Sequence, residues 1–203
     1  MINNRRRILR VMAIGAGTLI APYSLRAAQE STELYDWNGR ALGAEASIQL
    51  YSDDRNKANE ILDNTQKIIN KYEGMFSLYK EKSLVSQLNK FGTLSNPSPD
   101  FIKLVMLSKK FSKITNGSFD ISVQPLWNVY KNHFNEEVSG VLKEKINAVL
   151  GNIGSNKISL GQKYISFDND NMAVSFNGIA QGYITDKVSE YLSGQGFKHV
   201  LVD

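Results

Sequence analysis

The sequence predicts an α+β fold in which a mixed sheet is flanked by helices. Amphipathic helical patterns dominate residues 53–117, and short strand-like runs crowd the region from residue 157 onward. These segments do not alternate at the regular spacing of βαβ units, which argues against a doubly wound parallel sheet. The chain has 203 residues, enough for one domain with a sizeable core.

The first predicted elements are a strand and a long helix. Residues 42–52 alternate between apolar and polar side chains, as a half-buried strand does. Asp53 and Asp54 are suited to cap the helix that follows, whose apolar positions recur at helical spacing as far as Tyr72. Gly74 is predicted to end this helix.

Two further helices are predicted before residue 118. Residues 83–91 form a short helix, and a loop separates it from the next one. Ser98 and Pro99 open that next helix, because proline is well tolerated in a first helical turn. Asn116 and Gly117 provide a C-cap at its end.

The second half of the chain is predicted to be richer in strands. Residues 118–127 form a strand or extended segment that Pro125 closes, and residues 136–150 form a helix. Short strands are predicted at 157–161, 164–168 and 172–176, a helix at 186–197, and a last strand at 198–203. Because the last run is apolar almost to its end, it is either the edge strand of a complete small domain or the point at which the chain is truncated.

Basic residues are concentrated in the first 28 positions, which hold five arginines and no acidic residue. Of the 24 basic residues in the chain, 19 therefore remain to face 20 acidic ones. A nucleic-acid-binding surface needs a basic patch on the folded domain. The charge distribution therefore argues against nucleic acid as a partner.

Residues 1–28 have the three-part layout of a secretory signal. Arg5 and Arg6 lie in a basic cluster that resembles the bacterial twin-arginine signal, and the apolar run over 11–23 is too short to span a bilayer. We expect a twin-arginine-type signal peptide that exports the chain to the periplasm. The alternative is an uncleaved N-terminal anchor that keeps the chain at the membrane.

The chain contains no cysteine, which excludes disulfides, thiol catalysis and cysteine-ligated zinc. Its two histidines, His133 and His199, are far apart and match no metal-ligand spacing. We expect both to be surface or hydrogen-bonded side chains.

Three very small residues lie where an apolar run is followed directly by a helical pattern: Gly178, Ala180 and Gly182. One explanation is a tight strand-to-helix connection that needs room. The other is a backbone cradle for phosphate or metal at a helix N-terminus. The segment lacks the lysine and hydroxyl of a P-loop, and it does not match the dinucleotide-binding fingerprint.

Three other segments are candidates for chemistry. Residues 42–44 are a small-residue stretch beside a strand, which simple packing would explain. Tyr79 belongs to an aromatic segment that is able to stack on a planar ring such as a flavin, although core packing is the commoner role. Asp120 lies between apolar neighbours, where a carboxylate accepts hydrogen bonds either from a ligand or from backbone N–H groups.

In their order and spacing, these segments resemble the ApbE family, the bacterial FAD:protein FMN transferases. The matching stretches are LGA at 42–44, FSLY at 76–79 with Ser83 and Asn89 beyond it, TNGSFDISVQPL at 115–126, and GIAQGYITD at 178–186. The third stretch is the most specific of the four. The resemblance covers the chain from about residue 35 to its end.

The resemblance implies a T-fold-like domain of which residues 29–203 are the N-terminal portion, with the C-terminal part missing. It implies a magnesium-dependent transferase that splits FAD, attaches the FMN half through a phosphoester to a Thr or Ser of a target protein, and releases AMP. FAD would be the substrate, Mg²⁺ the cofactor, and a flavoprotein subunit of a membrane redox complex the partner.

The same resemblance implies the site residues. FAD would be bound by Leu42, Tyr79, Asp120, Gly178, Gln181 and Asp186. Ala180 would offer its backbone carbonyl to the metal.

The chain also departs from the family's pattern. Gln181 stands where the family usually has lysine, Leu42 where it has methionine, and Ala44 where it has threonine. The family's chain continues beyond the equivalent of residue 203 and carries there an Asp and a Thr that complete the metal site. Three expectations therefore stay open: an active flavin transferase, a truncated or degenerate protein that binds FAD without transferring it, and a fragment that does not fold stably.

Overall fold

The computed structural model of the chain describes residues 32–133, 140–161, 163–197 and 200–202. Its strands are β1 (Glu33–Ala41), β2 (Ala44–Ser52), β3 (Thr93–Ser95), β4 (Ile158–Leu160), β5 (Tyr164–Phe167) and β6 (Val200–Val202). Its helices are α1 (Arg55–Phe76), α2 (Leu84–Phe91), α3 (Pro99–Ile114), α4 (Gln124–Asn132), α5 (Gly140–Leu150) and α6 (Ala180–Gly194). The predicted α+β class, with small sheets and flanking helices, is confirmed. The signal peptide predicted for residues 1–28 lies outside the described residues.

β1 and β2 form an antiparallel hairpin that is paired along its whole length, and β6 pairs with the other edge of β2. Leu42 and Gly43 form the turn, with φ angles of 52° and 85°. Left-handed values at both positions are what a two-residue hairpin turn requires. The strand predicted for residues 42–52 therefore begins at Ala44 instead. The sequence pattern did not predict β1, because its charged and glycine residues obscure the alternation.

The second sheet has the order β3-β5-β4, and every strand pair within the described ranges is antiparallel. The strands predicted at 157–161 and 164–168 are confirmed as β4 and β5. The strand predicted at 172–176 is wrong, because within the described ranges this segment pairs with no other strand. The side-chain amide of Asn89 bonds both the N–H and the carbonyl of Val174 and so takes the place of a strand partner.

α1 begins where the sequence predicts, with the Asp54 carboxylate accepting a hydrogen bond from the N–H of Lys57 at 3.0 Å. It does not end at Gly74 but continues to Phe76. A glycine inside a helix costs about 1 kcal/mol relative to alanine. Burial of Met75 and Phe76 in the core outweighs that cost.

α2 and α3 are confirmed, and each has a serine at its N-cap. The hydroxyl of Ser83 accepts from the N–H of Ser86, and that of Ser98 accepts from the N–H of Phe101. α3 ends at Ile114, slightly before the predicted cap. The cap itself forms as expected, because the N–H of Gly117 reaches back to the carbonyl of Ser112 at 2.8 Å.

The prediction of an extended segment at 118–127 holds only at its start. Asp120 is extended, but a turn of 3₁₀ helix follows at Ile121–Val123 and leads directly into α4. Pro125 thus lies in the first turn of a helix, where its missing N–H costs nothing. It opens a helix and does not close a strand.

α6 begins six residues before the predicted residue 186, because the residues from Ala180 onward, Gly182 included, are already helical. α5 confirms the described part of the helix predicted at 136–150. β6 confirms the described part of the last predicted strand. Among the described residues, no helix combines the length and the apolar character needed to cross a bilayer.

Five aromatic side chains, the aromatic cluster, join these elements in the core: Tyr72, Phe76, Phe101, Phe176 and Tyr183. The ring of Phe76 lies at the centre, with centroids 5.5–6.0 Å from those of the other four rings. The cluster therefore ties α1 to α3, to the 172–176 segment and to α6. This packing fixes where the N-terminus of α6 lies.

Candidate functional site

The N-terminus of α6 presents backbone donors that the described part of the protein leaves unused. The carbonyl of Phe176 accepts from the N–H groups of Ile179 and Ala180, at 2.9 and 2.7 Å, and so closes the turn that precedes the helix. No side chain caps α6, and the N–H groups of Gln181 and Gly182 find no acceptor among the described residues. Two free donors at the positive end of a helix dipole attract an anion.

The two glycines of this turn serve different purposes. Neither has the positive φ that would make glycine necessary for the backbone. A Cβ on Gly178 would lie 3.4 Å from the ring of Phe119, an ordinary van der Waals contact, so this position is closely packed. A Cβ on Gly182 would meet nothing within 4 Å, so this position lies in open space. Gly178 thus fits a tight connection, and the backbone cradle for phosphate or metal stays a prediction.

A groove of about 490 Å³ runs between α3 and α6, and we call it the α3 groove. Its lining includes Phe111, Phe119, Ile179, Gly182, Tyr183 and Asp186. The lining is mainly apolar, and Asp186 adds a carboxylate at the exposed surface of α6. Burial, helped by the charge of Asp100, raises the pKa of the Tyr183 phenol, which therefore stays neutral at physiological pH.

A second groove of about 550 Å³ adjoins the first, and we call it the α4 groove. Its lining includes Asp120, Val123, Trp127, Leu150, Asn177 and Gly178. Trp127 is 59% exposed, so its ring is available to a planar partner. The two grooves share Gly178 and Phe119, beside the N-terminus of α6.

Asp120 lies at the edge of the α4 groove, and protein donors surround its carboxylate. Oδ1 accepts from the N–H and the hydroxyl of Ser122, at 2.9 and 2.6 Å. Oδ2 accepts from the N–H of Ser155 at 2.8 Å and from the hydroxyl of Ser112 at 3.2 Å. Burial acts to raise the pKa of Asp120, but these hydrogen bonds outweigh it and hold the pKa below its usual value. Of the two roles considered for Asp120, the structure favours the carboxylate satisfied within the protein.

Leu42 lies in the turn of the β1–β2 hairpin, with Tyr79 beside it, and neither residue is among those that line the two grooves. The N–H of Leu42 donates to the carboxylate of Glu73 at 2.9 Å, and the ammonium of Lys80 pairs with the same carboxylate. The ring of Tyr79 is 74% exposed and lies directly over Gly43. Glu73 therefore links the hairpin turn to the segment that carries Tyr79.

Gln181 lines a different space from the one that Gly182 lines. This space lies between the hairpin and α6 and is also lined by Trp37, Ala41 and Ile184. The space has a volume of only about 30 Å³, far too small for a nucleotide. The structure thus brings Asp120, Gly178 and Asp186 to the lining of one pair of grooves, and Leu42, Tyr79 and Gln181 are not among the residues that line them.

The described residues do not form a magnesium site by themselves. Nowhere in the described ranges do three or more acidic or histidine side chains converge. Ala180 is fully buried, and its carbonyl belongs to the first turn of α6, which leaves at most one lone pair for a cation. Mg²⁺ prefers carboxylate and phosphate oxygens in octahedral geometry. Further ligands from outside the described residues would be needed.

The pattern that defines the ApbE family matches residues 42–203, about four fifths of the chain. The chain belongs to the ApbE family. All four sequence motifs fall within or next to this match, and the two that line the grooves, at 115–126 and 178–186, meet at Gly178 and Phe119.

Named relatives in the ApbE family are similar to this chain over about half of their own length. The FAD:protein FMN transferase of Klebsiella pneumoniae is 23% identical over 177 residues, which are 84% of this chain and 54% of that protein. The FAD:protein FMN transferase of Buchnera aphidicola is 26% identical over 149 residues, which are 68% of this chain and 42% of that protein.

Solved ApbE structures share the fold. Flavin transferase ApbE from Vibrio cholerae superposes with a TM-score of 0.71 at 22% identity, covering 85% of this chain and 57% of that one. The apo form of the Pseudomonas stutzeri flavinyl transferase ApbE gives a TM-score of 0.72 at 21% identity, covering 85% of this chain and 56% of that one.

Two residues that organise the ApbE motifs in this chain, Glu73 and Asn89, were not predicted to have a role. Glu73 precedes the aromatic segment and gave no signal of its own, because an acid near a helix end is usually solvated. Asn89 was noted as part of a motif but was given no role. An uncharged amide one turn before a glycine cap, on the same helix face as the buried Val85, would have been the available signal.

Proposed function

We propose that this chain acts as an FAD:protein FMN transferase. The observation that carries this proposal is the pair of grooves that meet at Gly178, beside two N–H donors of α6 that have no acceptor in the described part of the chain. FAD consists of two planar ring systems joined by a diphosphate. One groove would hold the flavin ring and the other the adenine, with the diphosphate at the helix N-terminus.

In the proposed reaction the hydroxyl oxygen of a target Thr or Ser attacks the phosphorus of the FMN half. The bond between this phosphorus and the bridging diphosphate oxygen breaks, a phosphoester forms, and AMP leaves while the hydroxyl proton is released. The N–H groups of Gln181 and Gly182 would donate to phosphate oxygens, which orients the diphosphate. Phe119 and Tyr183 would exclude water on the side of the α3 groove, and Asp186 would accept from a flavin N–H or a ribityl hydroxyl.

Magnesium dependence is part of the same proposal. A bound Mg²⁺ would neutralise charge on the diphosphate as the new bond forms. The Ala180 carbonyl is the ligand that the family resemblance assigns within the described residues, and the remaining ligands would come from elsewhere. Removal of divalent ions with EDTA should therefore abolish transfer, and added Mg²⁺ should restore it.

The proposed target is a flavoprotein subunit of a membrane redox complex, met in the periplasm after export through the twin-arginine-type signal. The basic cluster at Arg5 and Arg6, followed by an apolar run, supports this proposal. Replacing both arginines by lysine should keep the chain out of the periplasmic fraction of the producing cells. Unchanged fractionation of this variant would argue against the export route.

A second candidate function is FAD binding without transfer. Two observations favour it: Gln181 replaces the usual lysine, and the described residues do not form a magnesium site by themselves. Both candidates require the grooves to bind FAD, and only the first requires a covalent product.

One experiment separates the candidates. The chain is incubated with FAD, Mg²⁺ and a candidate subunit, and the denatured mixture is separated on a gel and viewed for flavin fluorescence. A fluorescent subunit band that is lost in EDTA, and lost when the acceptor Thr is replaced by Val, supports transfer. No band, but a melting temperature that rises with FAD concentration, supports binding alone. If there is no fluorescent band and the melting temperature does not rise with FAD, both functions are rejected.

A further inference from the structure

The segment at 172–176 leads into the N-terminus of α6, yet it pairs with no strand among the described residues. The side-chain amide of Asn89 replaces one: its Nδ2 donates to the carbonyl of Val174 at 2.9 Å, and its Oδ1 accepts from the N–H of Val174 at 2.7 Å. Val174 itself is only 1% exposed. Its backbone groups would otherwise be buried without partners, which is costly.

An amide side chain of this length satisfies both backbone groups of Val174 at once. The contact requires a donor and an acceptor side by side, which asparagine and glutamine provide. A carboxylate would keep the acceptor but would place a second lone pair against the carbonyl of Val174. The backbone N–H of Ser175 is held on the next residue by the carbonyl of Ile121, at 2.7 Å.

The contact between Asn89 and Val174 lies only a few residues before α6. Phe176 is two residues beyond Val174, and its carbonyl accepts the N–H groups of Ile179 and Ala180 that begin the helix. The ring of Phe176 is fully buried in the aromatic cluster. A shift of Val174 would therefore move the first turn of α6, where the N–H groups of Gln181 and Gly182 have no acceptor among the residues that the structure describes.

We propose that Asn89 is a positioning residue for the α6 N-terminus: by holding Val174 from both sides, it fixes the backbone donors that face the two grooves. Its consequence for FAD binding rests on the proposed function. Its consequence for the order of the α6 turn does not, and the two are measured separately.

The first measurement is hydrogen exchange on the ligand-free chain. N89L removes both hydrogen bonds and keeps the branched shape of the side chain. T93V is the matched control, because it also removes a side-chain hydrogen bond to a distant carbonyl, that of Ile165 at 3.2 Å, but in the second sheet. We expect protection of the Ala180 and Tyr183 amides to fall about tenfold in N89L and to stay unchanged in T93V. Equal protection in N89L and the unsubstituted chain, or equal loss in both variants, would overturn the proposal.

The second measurement is FAD affinity by flavin fluorescence, well below the melting temperature of every variant. We expect N89L to weaken FAD binding about tenfold and T93V to leave it unchanged. An unsubstituted chain that does not bind FAD rejects the proposed function, and the exchange result still decides the role of Asn89. N89D, which keeps the acceptor and the volume, takes the place of N89L if that variant does not fold. Normal protection of the α6 amides in N89D would then overturn the proposal.

Discussion

Four donors surround the carboxylate of Asp120, and this arrangement makes the residue a structural centre for α3, the 3₁₀ turn and the loop at Ser155. A carboxylate offers about four lone-pair directions, and all are used here. A ligand that needed this carboxylate would first have to displace a protein donor.

We expect D120N to lower the free energy of unfolding by about 2–3 kcal/mol at pH 7, because an amide N–H₂ would face the donors of Ser122 or Ser155. D168N is the control: Asp168 is exposed and accepts one bond, from Ser159, so the change should stay within about 0.5 kcal/mol. Urea denaturation measures both variants. A loss no larger in D120N than in D168N would contradict the assignment.

The carboxylate of Asp120 also makes the free energy of unfolding depend on pH. Because the pKa of Asp120 is lowered in the folded chain, its stabilisation is complete above the ordinary value of 3.8 and is lost as the pH falls through the lower folded value. D120N cannot titrate. The stability difference between D120N and the unsubstituted chain should therefore shrink below about pH 4, as measured by urea denaturation across pH.

Gly43 is a position where both backbone and packing require glycine. Its φ is +85°, and a Cβ would lie 2.9 Å from the Tyr79 ring. Gly92 has a similar φ of +67° but an open surrounding, so G92A isolates the backbone cost of roughly 1–2 kcal/mol. We expect G43A to cost more than G92A.

Removal of the Tyr79 ring should eliminate the excess cost. In the double variant G43A/Y79A, the alanine Cβ no longer meets the ring, and a double-mutant cycle measures the recovered free energy. Equal costs for G43A and G92A would show that the exposed ring moves aside freely.

The elements of the first half were predictable because their signals are local. The serine and aspartate caps of α1, α2 and α3 bond backbone groups only three residues away. The elements that escaped prediction depend on distant partners. β1 is defined by its pairing with β2, and the 172–176 segment is bonded by a side chain 85 positions earlier.

The candidate site also has a part that the sequence predicted and a part that it did not. The motifs marked Gly178, Asp120 and Asp186 from the sequence alone, and the structure brings them to adjoining grooves. The start of α6 was misplaced because Gly182 resembles a turn residue, whereas tertiary packing of Ala180 and Tyr183 makes this segment helical.

The uncapped start of α6 leads to a prediction about charge. Q181K places a cation at the positive end of the helix dipole and should destabilise the ligand-free chain by about 0.3–1 kcal/mol. It should also tighten FAD binding several-fold at low salt, and high salt should remove the gain.

Q195K is the matched control, because Gln195 is the C-cap of the same helix, where the dipole favours a cation. We expect no loss of stability and no change in FAD affinity in this variant. Thermal melts and fluorescence titrations measure both quantities. A gain in affinity shared by the two variants would reflect net charge alone and would contradict a phosphate at the α6 N-terminus.

The aromatic cluster connects the parts of the molecule through Phe76, which is fully buried. We expect F76A to lower the free energy of unfolding by about 3–5 kcal/mol, a large share of the 5–15 kcal/mol typical of a domain. F91A is the control, because Phe91 is 65% exposed and should tolerate the same truncation within about 0.5 kcal/mol. Urea denaturation compares them, and similar losses in both would mean that the cluster does not hold the elements together.

The long separation of Asn89 from Val174 also bears on the order in which the chain folds. The β1–β2 turn closes a loop of two residues, whereas the Asn89 contact joins residues 85 positions apart and must wait until the chain between them has been arranged. Contacts that close long loops form late, and loss of a late contact speeds unfolding more than it slows folding. The start of α6 would then be among the last parts of the chain to assemble and the first to open. A nascent or partly unfolded chain would be unable to engage a nucleotide until nearly all the rest of the molecule is in place.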